Sequence, residues 1–263
     1  MSDFLKEIEE RTKRLVAEQK TKVPLSELRA QNSGKSVPRF ESALRQTGQL
    51  RVIAELKQAS PSAGIIREEN DFTTRVRAYA RGGAAAMSVL TERDFFKGSP
   101  EILKLARVHT DLPLLRKDFI IDPYQIEESR AWGADAILLI VAMLADAQLA
   151  EFIQTTRALG MDALVEVHDQ AEAERALKVG ASLIGINHRN LRTLTVDSST
   201  GEALLPLIVG ESRTAVVESG IREVDQIKLF KHLGAQAVLM GETFMRSDDP
   251  ESVVRTFVEA GMR

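Results

Sequence analysis

Ionisable residues close several short apolar runs of this sequence, where their side chains could take part in proton transfer. The first run ends with Glu55 and Lys57, a later one contains Lys117, and others carry Glu166 and Glu218. An ionisable side chain in an otherwise apolar strand is costly unless it is paired or used. Lysines and glutamates that converge on one place would suit acid–base catalysis, and we expect their mutual charges to move their pKa values toward neutrality.

The runs that carry these residues read as buried strands, and helix-like stretches separate most of them. This alternation predicts βαβ units with a parallel sheet, and eight units favour a closed (β/α)8 TIM barrel over an open doubly wound sheet. An open sheet with a dinucleotide would place a G-x-G-x-x-G turn after the first strand, and residues 57–64 do not supply one. The predicted strands are Val52–Lys57, Ala85–Leu90, Leu114–Phe119, Ala136–Ala142, Ala163–Val167, Leu183–Asn187, Ala215–Glu218 and Ala237–Met240.

Three predicted helices end in the same way, with a glycine and an alanine just before the next strand. Gly133, Gly180 and Gly234 occupy the position where a left-handed C-cap is expected. Repetition of this ending indicates quasi-equivalent units along the chain.

The segment before the first strand is polar and helical in pattern. We predict an amphipathic helix over residues 3–20, a polar break over 31–36 and a short helix over 39–45. Residues 1–48 are therefore an N-terminal helical extension and residues 49–263 the barrel, in one domain over 1–263.

Bulk properties narrow the function further. The 263 residues have a formal net charge of -3, which gives no basic surface for nucleic acid. The chain contains no cysteine, which excludes disulfide frameworks, thiolate metal sites and cysteine nucleophiles. The longest apolar run, 136–145, is about half the roughly 20 residues of a membrane span, and the acidic N-terminus is unlike a signal peptide. We expect a cytoplasmic monomer without nucleic-acid or membrane partners.

The carboxyl ends of barrel strands meet at one mouth, where barrel enzymes keep their chemistry. Gly220 and Gly241 follow the seventh and eighth strands, which is the common phosphate site of this fold, and a short helix is expected to start at Glu242. Residues 58–70 form either a mobile lid or a plain surface loop. Four other ionisable residues are expected only to mark strand ends that have reached solvent: Arg116, Asp118, His168 and Arg192.

Several of these segments resemble the motifs of the indole-3-glycerol phosphate synthase family. The segments are Glu55–Ser62, Leu114–Gln125, Leu138–Val141, Leu164–His168, Gly185–Leu191 and Glu218–Ile221, and the resemblance extends over nearly the whole chain. It implies a carboxy-lyase of tryptophan biosynthesis with a sugar-phosphate substrate. The implied reaction closes the ring of 1-(2-carboxyphenylamino)-1-deoxyribulose 5-phosphate, then removes carbon dioxide and water, and it needs no cofactor and no metal.

The resemblance also implies roles for individual residues. Lys117 is expected to be the general acid at the C2 carbonyl oxygen and Glu166 the base and acid of later steps. Lys57 would pair with the substrate carboxylate or donate a proton, and Glu55 would orient both lysines. Asn187 and Ser219 complete the catalytic set. The implied substrate-binding and phosphate-binding residues are Ser60, Phe119, Leu139, Arg189, Glu218, Gly220, Leu239, Gly241 and Glu242.

Two alternatives share the barrel and its phosphate site. One is a sugar-phosphate isomerase such as phosphoribosylanthranilate isomerase, which the absence of cysteine and the presence of Lys57, Lys117 and Glu166 disfavour. The other is a non-catalytic phosphate-binding barrel, which would be expected to lack Lys117 or Glu166.

Overall fold

Eight parallel strands close into a barrel in the computed structural model, which describes residues 3–31, 40–69, 71–191, 193–210 and 212–262. The ring closes where the first strand pairs with both the second and the last, at Ile53 with Ala86 and at Arg51 with Ala237. The strands are β1 (Arg51–Leu56), β2 (Ala86–Leu90), β3 (Leu114–Lys117), β4 (Ala136–Ile140), β5 (Asp162–Val167), β6 (Leu183–Asn187), β7 (Thr214–Glu218) and β8 (Ala237–Met240). The predicted TIM barrel is confirmed.

Helices surround the barrel, and most of them connect one strand to the next. They are α1 (Asp3–Lys22), α2 (Leu25–Gln31), α3 (Phe40–Leu44), α4 (Phe72–Arg81), α5 (Pro100–His109), α6 (Pro123–Ala131), α7 (Asp146–Ala158), α8 (Gln170–Lys178), α9 (Ser199–Ile208), α10 (Val224–His232), α11 (Glu242–Arg246) and α12 (Pro250–Met262). No helix in the described ranges combines the length and apolar character that crossing a membrane requires.

Local sequence explains where these helices begin and end. The side chains of Ser99 and Asp169 accept backbone N–H groups at the starts of α5 and α8. Gly133, Gly180 and Gly234 adopt positive φ values of 90°, 78° and 90°, as predicted for left-handed C-caps. β3 and β4 both end earlier than predicted. β4 does so because the chain turns into a short 3-10 helix over Val141–Met143.

The N-terminal helices pack on two parts of the barrel. α3 lies at the amino ends of the strands, where the Glu41 backbone N–H donates to Asp162 at 3.0 Å and its carboxylate accepts the Thr214 hydroxyl at 3.0 Å. α1 contacts α6, where the Tyr124 hydroxyl donates to the Val23 carbonyl at 2.8 Å. The predicted helical extension is therefore present, while most of its polar break, residues 32–36, lies outside the described residues.

Candidate active site

A cavity of about 370 Å³ opens at the carboxyl ends of the barrel strands. Strand ends and the loops that follow them supply its walls, so segments far apart in the sequence meet there. The predicted site residues that line it are Glu55, Lys57, Ser60, Lys117, Phe119, Glu166, Asn187, Arg189, Ser219, Gly220, Leu239, Gly241 and Glu242. Glu218 lies behind this wall, fully buried and in contact with Lys117. Leu139 is absent from the cavity wall.

The first lysine of the site is held by the glutamate two residues before it. Lys57 Nζ lies 2.6 Å from Glu55 Oε1, and Ser88 donates a hydrogen bond of 3.4 Å to the other carboxylate oxygen of Glu55. Burial would raise the pKa of Glu55, but the charges of Lys57 and Lys117 lower it below its ordinary value. Glu55 therefore stays ionised and fixes the ammonium group of Lys57 at the mouth of β1.

The second lysine lies among carboxylates from three strands. Lys117 Nζ contacts the Glu218 carboxylate and lies 3.5 Å from Glu166 Oε2. Burial would lower the pKa of Lys117, but Glu218, Glu166 and Glu55 together raise it above its ordinary value. The expected shift toward neutrality is wrong for this lysine, because its neighbours carry the opposite charge.

The two glutamates beside Lys117 have opposite pKa shifts. Burial would raise the pKa of Glu166, but Lys117, His168 and Asn187 lower it to about 2. Burial raises the pKa of Glu218 to about 7, and the charge of Glu166 adds to this effect despite the contact with Lys117. Glu218 therefore binds a proton more readily than Glu166, and this difference between two neighbouring carboxyl groups is suited to proton transfer.

Glycines in β6 and directly after β8 leave room for two of the buried carboxylates. A Cβ atom on Gly241 would lie 2.5 Å from Glu55 Oε1, and one on Gly185 would collide with the Glu218 carboxylate. Gly241 was predicted to bind phosphate. The structure shows a second reason for a glycine here, because any side chain at this position would collide with Glu55.

The far side of the cavity is formed by the loops after β7 and β8. Ser219 and Gly220 both adopt left-handed backbone, with φ values of 69° and 75°. α11 begins at Glu242, as predicted, with Gly241 at its N-cap. Arg189 reaches this region from the loop after β6 and donates a hydrogen bond of 2.5 Å to the Ser62 hydroxyl.

The loop after β1 is partly ordered by local structure. Ala59–Ser60 and Gly64–Ile65 pair as a short antiparallel hairpin, and the Ile66 backbone N–H donates to the Gln58 carbonyl at 2.8 Å. Ser60 lies within the hairpin and lines the cavity, while Asn70, the last residue of the predicted loop, lies outside the described residues.

The structure corrects the predicted wall residue on β4. Leu139 is fully buried in the layer between the strands and the helices, whereas Leu138 and Ile140 line the cavity. Side chains alternate along a strand, and Ile140 pairs with the inward-facing Glu166 of β5, so the even-numbered residues of β4 face inward.

The ionisable residues expected at solvent-exposed strand ends are also corrected. Arg116 is buried and donates to the carboxylates of Asp118 and Glu128, both at 3.0 Å, with its guanidinium 4.2 Å from the centre of the Trp132 ring. His168 is only 10% exposed and packs against Glu166, with Nε2 3.2 Å from Oε1. Arg192 lies outside the described residues.

Several residues of the cavity wall were not predicted from the sequence. Phe96 comes from the loop after β2, where Glu92 accepts the backbone N–H groups of Asp94, Phe95 and Phe96 at 2.8 to 3.0 Å. The centres of the Phe96 and Phe119 rings lie 6.2 Å apart. Together the two rings give the cavity an aromatic side. An acidic residue just after a strand and shortly before two phenylalanines is the only signal of this loop in the sequence.

Known proteins with the same sequence pattern identify the family. A family model described as indole-3-glycerol phosphate synthase matches residues 5–257. The chain belongs to the indole-3-glycerol phosphate synthase family. It is 45% identical over 254 residues to the indole-3-glycerol phosphate synthase of Carboxydothermus hydrogenoformans, which covers 94% of this chain and 96% of the relative. The enzyme of that name from Paracidovorax citrulli is 48% identical over 258 residues, covering 95% of this chain and 97% of the relative. The resemblance found in the sequence motifs is confirmed.

Solved structures support the fold of this family member at much lower identity. KGPDC from Streptococcus mutans superimposes with a TM-score of 0.63 at 14% identity, covering 81% of this chain and 97% of that one. A 3-hexulose-6-phosphate synthase from Salmonella typhimurium gives a TM-score of 0.61 at 14% identity, covering 80% of this chain and 98% of that one. These similarities concern the barrel alone.

Proposed function

We propose that this chain is an indole-3-glycerol phosphate synthase, a carboxy-lyase of tryptophan biosynthesis. It would convert 1-(2-carboxyphenylamino)-1-deoxyribulose 5-phosphate to indole-3-glycerol phosphate with loss of carbon dioxide and water. The observation that carries the proposal is the ion cluster in one barrel mouth, in which Lys117 lies between Glu166 and Glu218 beside the Lys57–Glu55 pair. Membership of the family supports the choice of substrate.

Lys117 is the proposed general acid of ring closure. The carbonyl oxygen at C2 becomes a hydroxyl as the new carbon–carbon bond forms, so it needs a proton donor within hydrogen-bond distance. Since its carboxylate neighbours raise its pKa, Lys117 enters the reaction protonated and carries the proton that it donates. Its position on the wall of the cavity places the ammonium group where a substrate can reach it.

Glu166 is the proposed base and acid of the later steps. Its low pKa keeps it ionised before it accepts a proton, and its Oε2 atom lacks a hydrogen-bond partner among the residues that the structure describes. Lys57 would bind the substrate carboxylate, which leaves as carbon dioxide, or donate a proton, while Glu55 orients it. Asn187, which helps to lower the pKa of Glu166, would help to hold the reacting groups.

The substrate has an aromatic end and a phosphate end, and the cavity offers a matching surface to each. We assign the anthranilate ring to the apolar wall that contains Phe119, Leu138 and Ile140, with Leu239 adjoining. The phosphate is assigned to the opposite side, where the residues available to it are Ser60, Arg189, Ser219, Gly220, Gly241 and Glu242.

Turnover of the substrate tests the proposal directly. Mixing protein with 1-(2-carboxyphenylamino)-1-deoxyribulose 5-phosphate should produce the absorbance and fluorescence of an indole. We expect Lys117→Ala to lower kcat by a factor on the order of 100 or more. Near-parental turnover of this variant would refute the assignment of the acid, and phosphate binding without turnover by the parent would favour a non-catalytic barrel.

The proposal extends to the state of the protein in the cell. We propose a cytoplasmic monomer in which residues 1–263 form one domain. Light scattering on the purified chain should give a mass near 29.1 kDa. A stable dimer would refute the monomer without affecting the assigned chemistry.

A further inference from the structure

His168 lies directly behind the wall of the active site, where it contacts the proposed base. Its Nε2 atom is 3.2 Å from Glu166 Oε1, while Lys117 Nζ lies 3.5 Å from the other oxygen, Oε2. Both are ion-pair contacts, since neither His168 Nε2 nor Glu166 Oε2 has a hydrogen-bond partner among the described residues. His168 itself does not line the cavity. The Glu166 carboxylate therefore has one oxygen beside the imidazole and the other beside the lysine.

A second carboxylate holds the opposite side of the imidazole ring. His168 Nδ1 lies 3.0 Å from Glu172 Oε2, and the same oxygen accepts the His168 backbone N–H at 2.9 Å. Glu172 is fixed in turn, because it lies in the first turn of α8, where its backbone N–H donates to the N-cap Asp169 at 2.9 Å. The histidine is thus tied to the start of a helix, and its rotamer is set independently of substrate.

The two carboxylates require a doubly protonated ring. An imidazole that faces carboxylate oxygens from both nitrogens needs both N–H donors, which is the imidazolium form. Although burial would lower the pKa of His168, Glu166 and Glu172 outweigh this effect and raise it to about 10. The residue is a cation at neutral pH.

We propose that the Glu172–His168 pair is a positioning device for Glu166: it holds Oε1 against the imidazolium so that Oε2 faces Lys117 and the substrate. This inference rests on the proposed function, in which Glu166 transfers protons during the reaction. His168 acts through Glu166 and makes no contact with the cavity, so it is a positioning residue.

The surroundings of Glu166 indicate what the loss of His168 would change. The groups that face Glu166 or interact with its charge are Lys117 from β3, Ile140 from β4, His168 after β5, Asn187 from β6 and Glu218 from β7. Removing a cation at this distance raises the pKa of a carboxyl group by about one to three units. A base becomes inactive as pH falls through its pKa, so the acid limb of the rate profile moves to higher pH.

Variants of the two residues test the proposal by their kinetics. His168→Leu should lower kcat on the order of 10- to 100-fold with little change in KM, because substrate binding is kept while the base is misplaced. His168→Gln should recover part of kcat, since a polar amide near Oε1 restrains Glu166 better than leucine does, but its acid limb should shift as in His168→Leu. Glu172→Gln should give a smaller loss of the same kind. The matched control is His232→Gln, an exposed histidine at the end of α10, which should behave as the parent.

Nitrogen NMR of the histidine rings in the free enzyme supplies a second measurement that does not depend on turnover. Near pH 8, well above the ordinary histidine pKa of about 6.5, one ring should remain doubly protonated, and its signal should be missing from His168→Gln. In Glu172→Gln this ring should lose its proton at lower pH than in the parent.

The outcomes separate this inference from the proposed function. An active parent together with parental kcat and an unshifted acid limb in His168→Leu would refute the positioning role alone. A neutral His168 ring near pH 8 would refute it as well. An inactive parent would refute the proposed function and the role built on it. If circular dichroism shows that His168→Leu is unfolded, His168→Gln and Glu172→Gln decide by the same criteria.

Discussion

The substitution Gly241→Ala would place a methyl group against the side chain that orients Lys57. The new Cβ atom would lie 2.5 Å from Glu55 Oε1 and 3.2 Å from Glu55 Cβ. Ordinary contacts between such atoms lie at about 3.5–4.0 Å, so the carboxylate would have to move by about 1 Å. The φ angle of Gly241 is -124°, which other residues adopt readily, so backbone strain does not contribute.

The magnitude follows from how tightly Glu55 is enclosed. This side chain is 2% exposed and pairs with Lys57 at 2.6 Å, so it cannot move without disturbing the lysine. Overpacking of a buried site costs about 1–3 kcal/mol in the free energy of unfolding. Misplacement of a catalytic group by about 1 Å lowers the rate on the order of 100-fold. We therefore expect a large fall in kcat and a moderate fall in Tm.

The assay measures kcat and KM for indole formation, together with inhibition by inorganic phosphate. A matched control is Gly210→Ala, outside the active-site cavity, where the three atoms nearest to the added methyl all belong to the guanidinium end of the Arg213 side chain. If Gly241→Ala keeps kcat but weakens binding of both substrate and phosphate, the glycine serves the phosphate site, and our reasoning about Glu55 is wrong.

The remaining predictions concern residues that the structure reassigned. Leu139→Ala should lower the free energy of unfolding by about 2–5 kcal/mol and leave KM unchanged, whereas Leu138→Ala should raise KM by about tenfold. Kinetics and urea unfolding of both variants check this. A raised KM in Leu139→Ala with an unchanged KM in Leu138→Ala would show that the two faces of β4 are assigned the wrong way round. Arg116→Met should destabilise the fold by about 3–5 kcal/mol, because it removes the cation that offsets the buried carboxylate of Glu128 and the partly buried carboxylate of Asp118. Since burial raises the pKa of Glu128, this loss should shrink as pH falls and the Glu128 carboxyl group becomes neutral; a loss below about 1 kcal/mol at neutral pH would mean that Arg116 is screened by solvent.

The barrel could be predicted from the sequence because each of its units repeats the same local rules. Apolar runs, intervening helices and the glycines at 133, 180 and 234 all lie in single stretches of chain, where period and turn chemistry can be recognised. Strand ends differed by one or two residues, as at β4, where the switch to a 3-10 helix over Val141–Met143 depends on packing that no local pattern records.

The face of a continuously apolar strand was harder to predict. β4 reads Ala-Ile-Leu-Leu-Ile and is buried on both faces, so no polar residue reveals which side chains point inward. The register with β5 decides this, since Ile140 pairs with Glu166, and register is a property of two strands together. Leu139 was therefore assigned to the cavity when Leu138 and Ile140 occupy it.

The sequence predicted which charged residues meet at the mouth of the barrel, but it did not predict the groups that surround each of them. The sequence placed Lys117 and Glu166 at one mouth, yet the direction of each pKa shift depends on the sign and distance of neighbours from other strands. Arg116 and His168 were expected to be solvated strand ends because their partners, Glu128 and Glu172, lie on the following helices. Those pairings exist only once each helix has packed beside its strand.

Glycine inside a buried strand carried a signal about chemistry that sequence reasoning did not use. Gly185 lies in β6 and leaves space for the Glu218 carboxylate from β7, and Gly241, directly after β8, leaves space for Glu55 from β1. In both cases an ionisable side chain reaches across to a neighbouring strand, and only the missing Cβ allows it. Glu55 and Glu218 are therefore accommodated both by a lysine that offsets charge and by a glycine that makes room for the side chain. A glycine in a strand that is otherwise β-branched or aliphatic is thus a reason to look for a glutamate or aspartate on the adjacent strand.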